Sequence, residues 1–325
     1  MDTTISKKRI LIVFDTVQEG FEELYERYEV VRPTPGKSFT KEELETLGGD
    51  FDIIATEFSI PVDKEYIDRY PHLKMIANYA VGYNNIDLAH ARSRDIAVSN
   101  TPKSVVMPTA ELTLALLLNC TRRVAEWDRT MRHNKSSAKA NLGSGMGVDL
   151  YGKTVGIIGY GNIGKTAGKY YQAFGMKVLY YKRNRLSVAE EQELRVTYAT
   201  LDEIYAQSDV ISLHTPYNPD SHHLINADAI NKMKSNAIII NVARGAVVDE
   251  AALVEALKSG RIAGAGLDVF EHNDNPLSEL YELDNVTMTP HVGTQTYDSR
   301  VKMAKELSDN IIGFLEGDRP VSLVS

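Results

Sequence analysis

Residues Thr154-Val155-Gly156-Ile157-Ile158-Gly159-Tyr160-Gly161-Asn162-Ile163-Gly164 constrain the fold more than any other stretch of this chain. A β-branched apolar run leads straight into Gly-x-Gly-x-x-Gly, and an Ala- and Tyr-rich stretch follows, so the segment reads strand, tight turn, helix. Gly159 permits the turn, Gly161 lets backbone approach a pyrophosphate, and Gly164 lets helix and strand pack closely. The helix N-terminus then faces the anion. A dinucleotide is the expected ligand, with Gly159, Gly161, Asn162, Ile163 and Gly164 as its contacts.

At 325 residues, 43% hydrophobic and 25% charged, the chain has the composition of an ordinary soluble protein too long for one comfortable core. Two domains are expected. Met1 to Arg9 lacks an apolar signal core, and the longest apolar stretch, Leu112 to Leu118, falls far short of a membrane span. A cytoplasmic protein without membrane association follows as the expectation. The lone Cys120 cannot form an internal disulfide and reads as core packing. A net charge of -8 offers no basic field for nucleic acid, so a small-molecule partner is expected.

Short β-branched runs (Arg9 to Phe14, Phe51 to Ala55, Leu73 to Ala77) alternate with charged helical stretches such as Thr40 to Leu47, the pattern of a parallel α/β sheet. A second set follows the helical segment Met107 to Arg132: Val155 to Ile158, Lys177 to Tyr181, Val210 to Leu213, Ala237 to Asn241, Gly264 to Leu267 and Val286 to Met288. A final helix over Tyr297 to Glu316 carries one apolar stripe. The fold class expected is α/β, two Rossmann-like or flavodoxin-like lobes with parallel sheets and a cleft between them. In such sheets ligands lie beyond the carboxyl ends of the strands. The residues found there are the glycine turn, Lys182-Arg183-Asn184-Arg185, His214-Thr215-Pro216, Val242-Ala243-Arg244-Gly245, Asp268 and Pro290-His291-Val292-Gly293.

Tyr79-Ala80-Val81-Gly82-Tyr83-Asn84-Asn85-Ile86-Asp87, Leu213-His214-Thr215-Pro216, Asn241-Val242-Ala243-Arg244-Gly245, Ala265-Gly266-Leu267-Asp268-Val269-Phe270-Glu271 and Thr289-Pro290-His291-Val292-Gly293 together resemble the D-isomer-specific 2-hydroxyacid dehydrogenases. The match runs in order from about Asp52 to the C-terminus. The resemblance implies a substrate domain over 1–104 completed by a C-terminal helix in 296–325, an NAD(P)-binding Rossmann domain over 105–295, and a homodimer. It also implies oxidoreductase chemistry on a 2-oxo or 2-hydroxy acid.

Reducing a 2-oxo acid needs a hydride for the carbonyl carbon, a proton for its oxygen and a cation for the carboxylate. Arg244 offers a permanent planar fork for the carboxylate, and His291 titrates near neutrality and so serves as acid in reduction and base in oxidation. The family places a glutamate five residues after the Asp268 position, whereas this chain has Asn273, with Asp274 and Glu271 as nearby alternatives. A neutral amide can orient the imidazole but cannot stabilise its cation by charge. The resemblance further places Asp268 and Thr109 by the nicotinamide, Gly293 beside them, and the backbone of Val81 and Gly82 on the substrate carboxylate. Val242, Ala243, His214, Thr215 and Pro216 complete the cofactor contacts.

An NAD-selective site carries an acid about 20 residues beyond the glycine turn, on the ribose 2'-hydroxyl. Lys182 stands there, and with Arg183 and Arg185 it forms a patch suited to a 2'-phosphate. NADP(H) is therefore preferred, with NAD(H) the alternative. No Cys/His ligand spacing suggests a metal. The leading reading is a 2-oxo acid reductase of the glyoxylate and hydroxypyruvate reductase branch. A D-lactate or phosphoglycerate dehydrogenase-like enzyme, and a dinucleotide-sensing interaction protein with weakened catalysis, are the alternatives.

Overall fold

The computed structural model describes residues 8–134, 145–272, 277–317, 319 and 321–324. The chain divides into two compact units, Met1–Val105 with Thr294–Ser325, and Val106–Gly293. The first unit begins β1 Arg9–Ile12, α1 Glu22–Arg27, β2 Glu29–Val31, α2 Lys41–Leu47, β3 Ile53–Thr56, α3 Lys64–Asp68, β4 Met75–Asn78, α4 Leu88–Ser93 and β5 Ala97–Ser99. Its strands are parallel in the order β2-β1-β3-β4-β5. Every residue of β3 and β4 is buried, as a parallel strand covered on both faces requires. Thr40 caps α2 by accepting from the Glu43 amide while the Glu43 carboxylate accepts from the Thr40 amide.

The second unit continues with α5 Val106–Arg122, α6 Val124–Asn134, β6 Thr154–Ile158, α7 Asn162–Ala173, β7 Lys177–Tyr181, α8 Val188–Leu194, β8 Thr197–Tyr198, α9 Leu201–Gln207, β9 Val210–Leu213, α10 Ala227–Lys232, β10 Ile238–Asn241, α11 Glu250–Lys258, β11 Gly264–Leu267 and β12 Val286–Met288. Its sheet is parallel, in the order β12-β11-β10-β9-β6-β7-β8. The chain therefore runs outward through β7 and β8, returns past β6 to β9, and runs on to β12. The reversal between β6 and β9 is the switch point of a Rossmann sheet. Alternation along β10 feeds both faces. Ile238 and Ile240 join Leu116, Leu117 and Tyr171 on one side, and Ile239 joins Ile204, Ile230 and Leu253 on the other. The chain then returns to the first unit as α12 Tyr297–Glu316, whose Ala304, Leu307 and Ile311 are fully buried.

The structure departs from the sequence expectation in two ways. The single helix expected over Met107 to Arg132 is two, because Arg123 takes a left-handed φ of 55° and the Asn119 side chain accepts from the Ala125 amide to start the second. The short strands β2, β5 and β8, of two or three residues each, were not expected. No helix among the described residues is long and apolar enough to cross a membrane.

Candidate active site

At the carboxyl edge of the second unit's sheet, neighbouring strands deliver the site residues in spatial order: His291 after β12, Asp268 after β11, Arg244 after β10, His214 after β9, the glycine turn after β6 and Lys182 after β7. Gly159 has φ +95°, and a Cβ there would lie 2.5 Å from the carbonyl carbon of His214, so turn and neighbouring strand end are in contact. A Cβ on Gly164 would lie 2.4 Å from the Gly159 oxygen. Nothing lies within 4 Å of a Cβ built on Gly161, and α7 starts there without a side-chain cap. Open space above the backbone, and helix N–H groups without a protein acceptor among the described residues, suit a pyrophosphate.

Arg244 follows a β10 that ends in the buried Asn241. The Asn241 amide donates to the Arg244 carbonyl (3.0 Å) and accepts from the Ala243 amide (3.0 Å), folding the loop around its own side chain. One guanidinium N–H donates to the Ala243 carbonyl at 2.6 Å. Among the described residues no carboxylate pairs with Arg244. Burial lowers its pKa, and arginine nevertheless stays charged at neutral pH. Among the described residues, four of the five N–H donors of this partly exposed cation have no acceptor and are available to a ligand.

Asp268 is 1% exposed. Its Oδ1 accepts from Thr289 Oγ1 (2.6 Å) and the Val292 amide (2.8 Å), and its Oδ2 accepts from the Gly293 amide (2.9 Å). Burial raises its pKa and these three donors oppose the rise. The Asp268 carbonyl also accepts from the His291 amide at 2.9 Å. His291 itself has φ +53°, a conformation uncommon outside glycine, so the loop that presents it is held by Asp268 rather than by its own preference. A Cβ on Gly293 would lie 3.5 Å from Thr109 Oγ1, which brings the start of α5 to the same loop.

Asn273 and Asp274 lie outside the described residues. Glu271 is engaged elsewhere: its Oε1 bonds His223 Nε2 at 2.5 Å and its Oε2 accepts from the Glu250 amide at 3.2 Å. His214 bonds Ser212 Oγ through Nε2 (2.8 Å), and Ser212 in turn bonds the Tyr171 hydroxyl (2.9 Å). Burial pushes the His214 pKa down to about 3, so its ring is neutral at physiological pH. Its Nδ1 is buried with no partner among the described residues. Thr215 is partly and Pro216 well exposed, while Val242 and Ala243 are buried. Of the three cations after β7, Arg185 is held by Glu191 through two bonds (2.7 and 2.8 Å) and lies 5.0 Å over the Tyr198 ring. That pairing, with the Tyr180 hydroxyl, drops the Glu191 carboxyl to about 2. Lys182 and Arg183 make no ion pair among the described residues. Val81 and Gly82 lie in the first unit, after β4.

Sequence reasoning quoted Asn241 and Thr289 within motifs but assigned them no role. A polar residue closing an apolar strand was the available signal. At the opposite, amino edge of β10 to β12 lies a cavity of about 380 Å³ lined in part by Cys120, whose thiol burial pushes up to about 11, well above where a thiolate forms at neutral pH.

The family model described as D-isomer specific 2-hydroxyacid dehydrogenase, NAD binding domain, matches residues 114–293. Glyoxylate reductase of Pyrococcus furiosus is 39% identical over 98% of this chain and 96% of its own length. A glyoxylate reductase from Paecilomyes thermophila has a similar structure, with TM-score 0.86, 30% identity and 98% of each chain covered. So does an NADPH-dependent glyoxylate/hydroxypyruvate reductase from Sinorhizobium meliloti in complex with NADP and malonate, with TM-score 0.84, 30% identity, and 98% of this chain and 97% of that one covered.

Proposed function

Because the chain belongs to the D-isomer specific 2-hydroxyacid dehydrogenase family, we propose that it is a nicotinamide-dependent oxidoreductase reducing a small 2-oxo acid of the glyoxylate or hydroxypyruvate type to the D-2-hydroxy acid. The observation that carries the reading is Arg244, a largely buried guanidinium whose one partner among the described residues is a backbone carbonyl. Such a cation is costly to keep unless an anion completes it. A 2-oxo acid supplies a carboxylate of matching geometry and a keto oxygen within reach of the same fork.

The second unit serves as the coenzyme domain and the first as the substrate domain. When bound, the nicotinamide supplies the hydride. Arg244 binds the carboxylate and draws charge toward the keto oxygen, and His291 gives that oxygen its proton, taking it back in oxidation. Asp268 and Asn241 hold the two loops that carry these groups. The backbone N–H groups of Val81 and Gly82 add donors for the carboxylate. Thr109, His214, Thr215, Pro216, Val242, Ala243, Asp268 and Gly293 bound the coenzyme, with its pyrophosphate on Gly159, Gly161, Asn162, Ile163 and Gly164.

NADPH is the preferred coenzyme, and Lys182 and Arg183 receive its 2'-phosphate, since Arg185 is already occupied by Glu191. Glyoxylate, hydroxypyruvate, pyruvate and longer 2-oxo acids, each assayed with NADPH and with NADH, test both assignments. Turnover of the two smallest acids with NADPH is expected, and inactivity on the whole panel would favour a dinucleotide sensor. Lys182→Asp is expected to raise the NADPH KM by roughly ten- to a hundredfold, the worth of a charge-assisted phosphate contact, while improving NADH. Equal KM values for NADPH in both proteins would reject the role of Lys182.

The enzyme works in the cytoplasm as a homodimer. Met131, Met146 and Tyr151 of the second unit are 55%, 71% and 85% exposed, apolar side chains whose burial by a second copy would be favourable. Light scattering at micromolar concentration should return twice the chain's 36.2 kDa, and the monomer mass would remove this assignment.

A further inference from the structure

After β4 the Tyr79 amide still donates to the Thr56 carbonyl (2.7 Å), but the next three residues, Ala80 to Gly82, are tied down through their carbonyl groups. The Thr101 amide donates to the Ala80 carbonyl (3.0 Å), Asn100 Nδ2 to the Val81 carbonyl (2.8 Å) and Asn78 Nδ2 to the Gly82 carbonyl (2.6 Å). Each carbonyl shares a planar trans peptide with the N–H of the next residue, and the two point in opposite directions. Drawing three successive carbonyls inward therefore turns the N–H groups of Val81, Gly82 and Tyr83 outward. Among the described residues none of these three amides has an acceptor. Val81 and Gly82 are partly exposed and Tyr83 is 38% exposed, so the segment that carries these donors lies at the surface of the first unit.

Both asparagines are buried, Asn78 fully and Asn100 to 6% exposure. Among the described residues the Asn78 Oδ1 has no partner, a loss that an apolar residue of similar size would avoid. The Asn100 amide is oriented from the far end of the chain. Ser322 Oγ reaches its Oδ1 at 3.2 Å, leaving Nδ2 for Val81. Ser322 is itself placed by Asn310 of α12, whose Oδ1 accepts from the Ser322 amide (2.9 Å) and whose Nδ2 donates to the Asn100 carbonyl (2.9 Å). The Val324 amide donates to the Val98 carbonyl, laying the C-terminal segment along β5.

We infer that Asn78 and Asn100 are positioning residues that present the Val81, Gly82 and Tyr83 amides to a substrate carboxylate, with the C-terminal segment locking Asn100 through Ser322. The inference rests on the 2-oxo acid reading for its substrate, while the donor array itself stands on the hydrogen bonds of the first unit.

The test compares wild type with Asn100→Asp, Asn78→Leu and Ser322→Ala, each checked for fold by circular dichroism. For Asn100→Asp and Asn78→Leu the glyoxylate KM is expected to rise about tenfold, with kcat within about threefold and the coenzyme KM unchanged, the pattern of lost uniform binding. Ser322→Ala, which leaves Asn100 in place but unlocked, should raise KM by roughly threefold. Glyoxylate KM values within twofold of wild type in the folded variants overturn the inference. Should wild type turn over no 2-oxo acid, the proposed activity fails, and the array is then read by nuclear magnetic resonance with ¹⁵N-labelled valine and glycine. Oxalate shifting Val81 and Gly82 in wild type but not in Asn78→Leu or Ser322→Ala supports the inference. Unmoved signals in wild type overturn it.

Discussion

Arg244→Leu is expected to lower kcat/KM for the 2-oxo acid by roughly 10³-fold or more, because truncating one side of a desolvated, hydrogen-bonded charge pair costs about 3–5 kcal/mol and each 1.36 kcal/mol is tenfold in rate. Coenzyme affinity should change little. The thermal midpoint should stay level or rise, since Arg244 has no carboxylate partner among the described residues and leucine removes a buried charge without leaving another behind. Arg244→Lys keeps the charge and loses the fork, so it should fall between the two, roughly 10²-fold below wild type. Kinetics and thermal unfolding on the same preparations check all three statements. A variant that is destabilised yet catalytically normal would make Arg244 a structural cation and end the assignment.

Replacing His291 with asparagine should lower kcat by roughly 10³-fold, within the range a positioned general acid contributes. Asparagine is chosen because His291 sits at φ +53° and asparagine tolerates that conformation better than other non-glycine residues. The Asp268 bonds to Thr289, Val292 and Gly293 should then survive, and coenzyme binding with them. The pH dependence gives a second reading. Reduction needs the protonated imidazole, so a carboxylate beside it, which favours the charged form, would carry reductive activity to higher pH. Asn273→Glu should accordingly move the falling limb of the reductive pH–rate profile toward base, and His291→Asn should abolish that limb. Superimposable profiles for wild type and Asn273→Glu would show that position 273 does not act on the acid. An unchanged kcat in His291→Asn would remove His291 from proton transfer altogether.

Much of the molecule was legible because the relevant signals are local. The β-branched run into Gly159-Tyr160-Gly161, the apolar stripe of Tyr297–Glu316 and the polar clusters after each apolar strand all lie within a few residues of the structure they specify. Strand direction then does the rest: in a parallel sheet the residues that follow the strands share one edge, so Arg244, Asp268 and His291 could be assigned to it before any coordinate was known.

What holds those residues in place was decided only in three dimensions. Asn100 meets Ser322 across 222 positions and Asn310 across 210, and no propensity or period links residues so far apart. Asp268 is placed near the nicotinamide by its motif, and only the fold shows that its carboxylate also gathers the donors of Thr289, Val292 and Gly293. Arg185 reads as one more phosphate ligand until Glu191, one helical segment later, is seen to hold it. The amino-acid order determines which chemical groups reach the sheet edge, since that depends on local backbone form. Tertiary packing determines which of them remain available to a ligand, since a hydrogen bond forms only where folding brings donor and acceptor within about 3 Å.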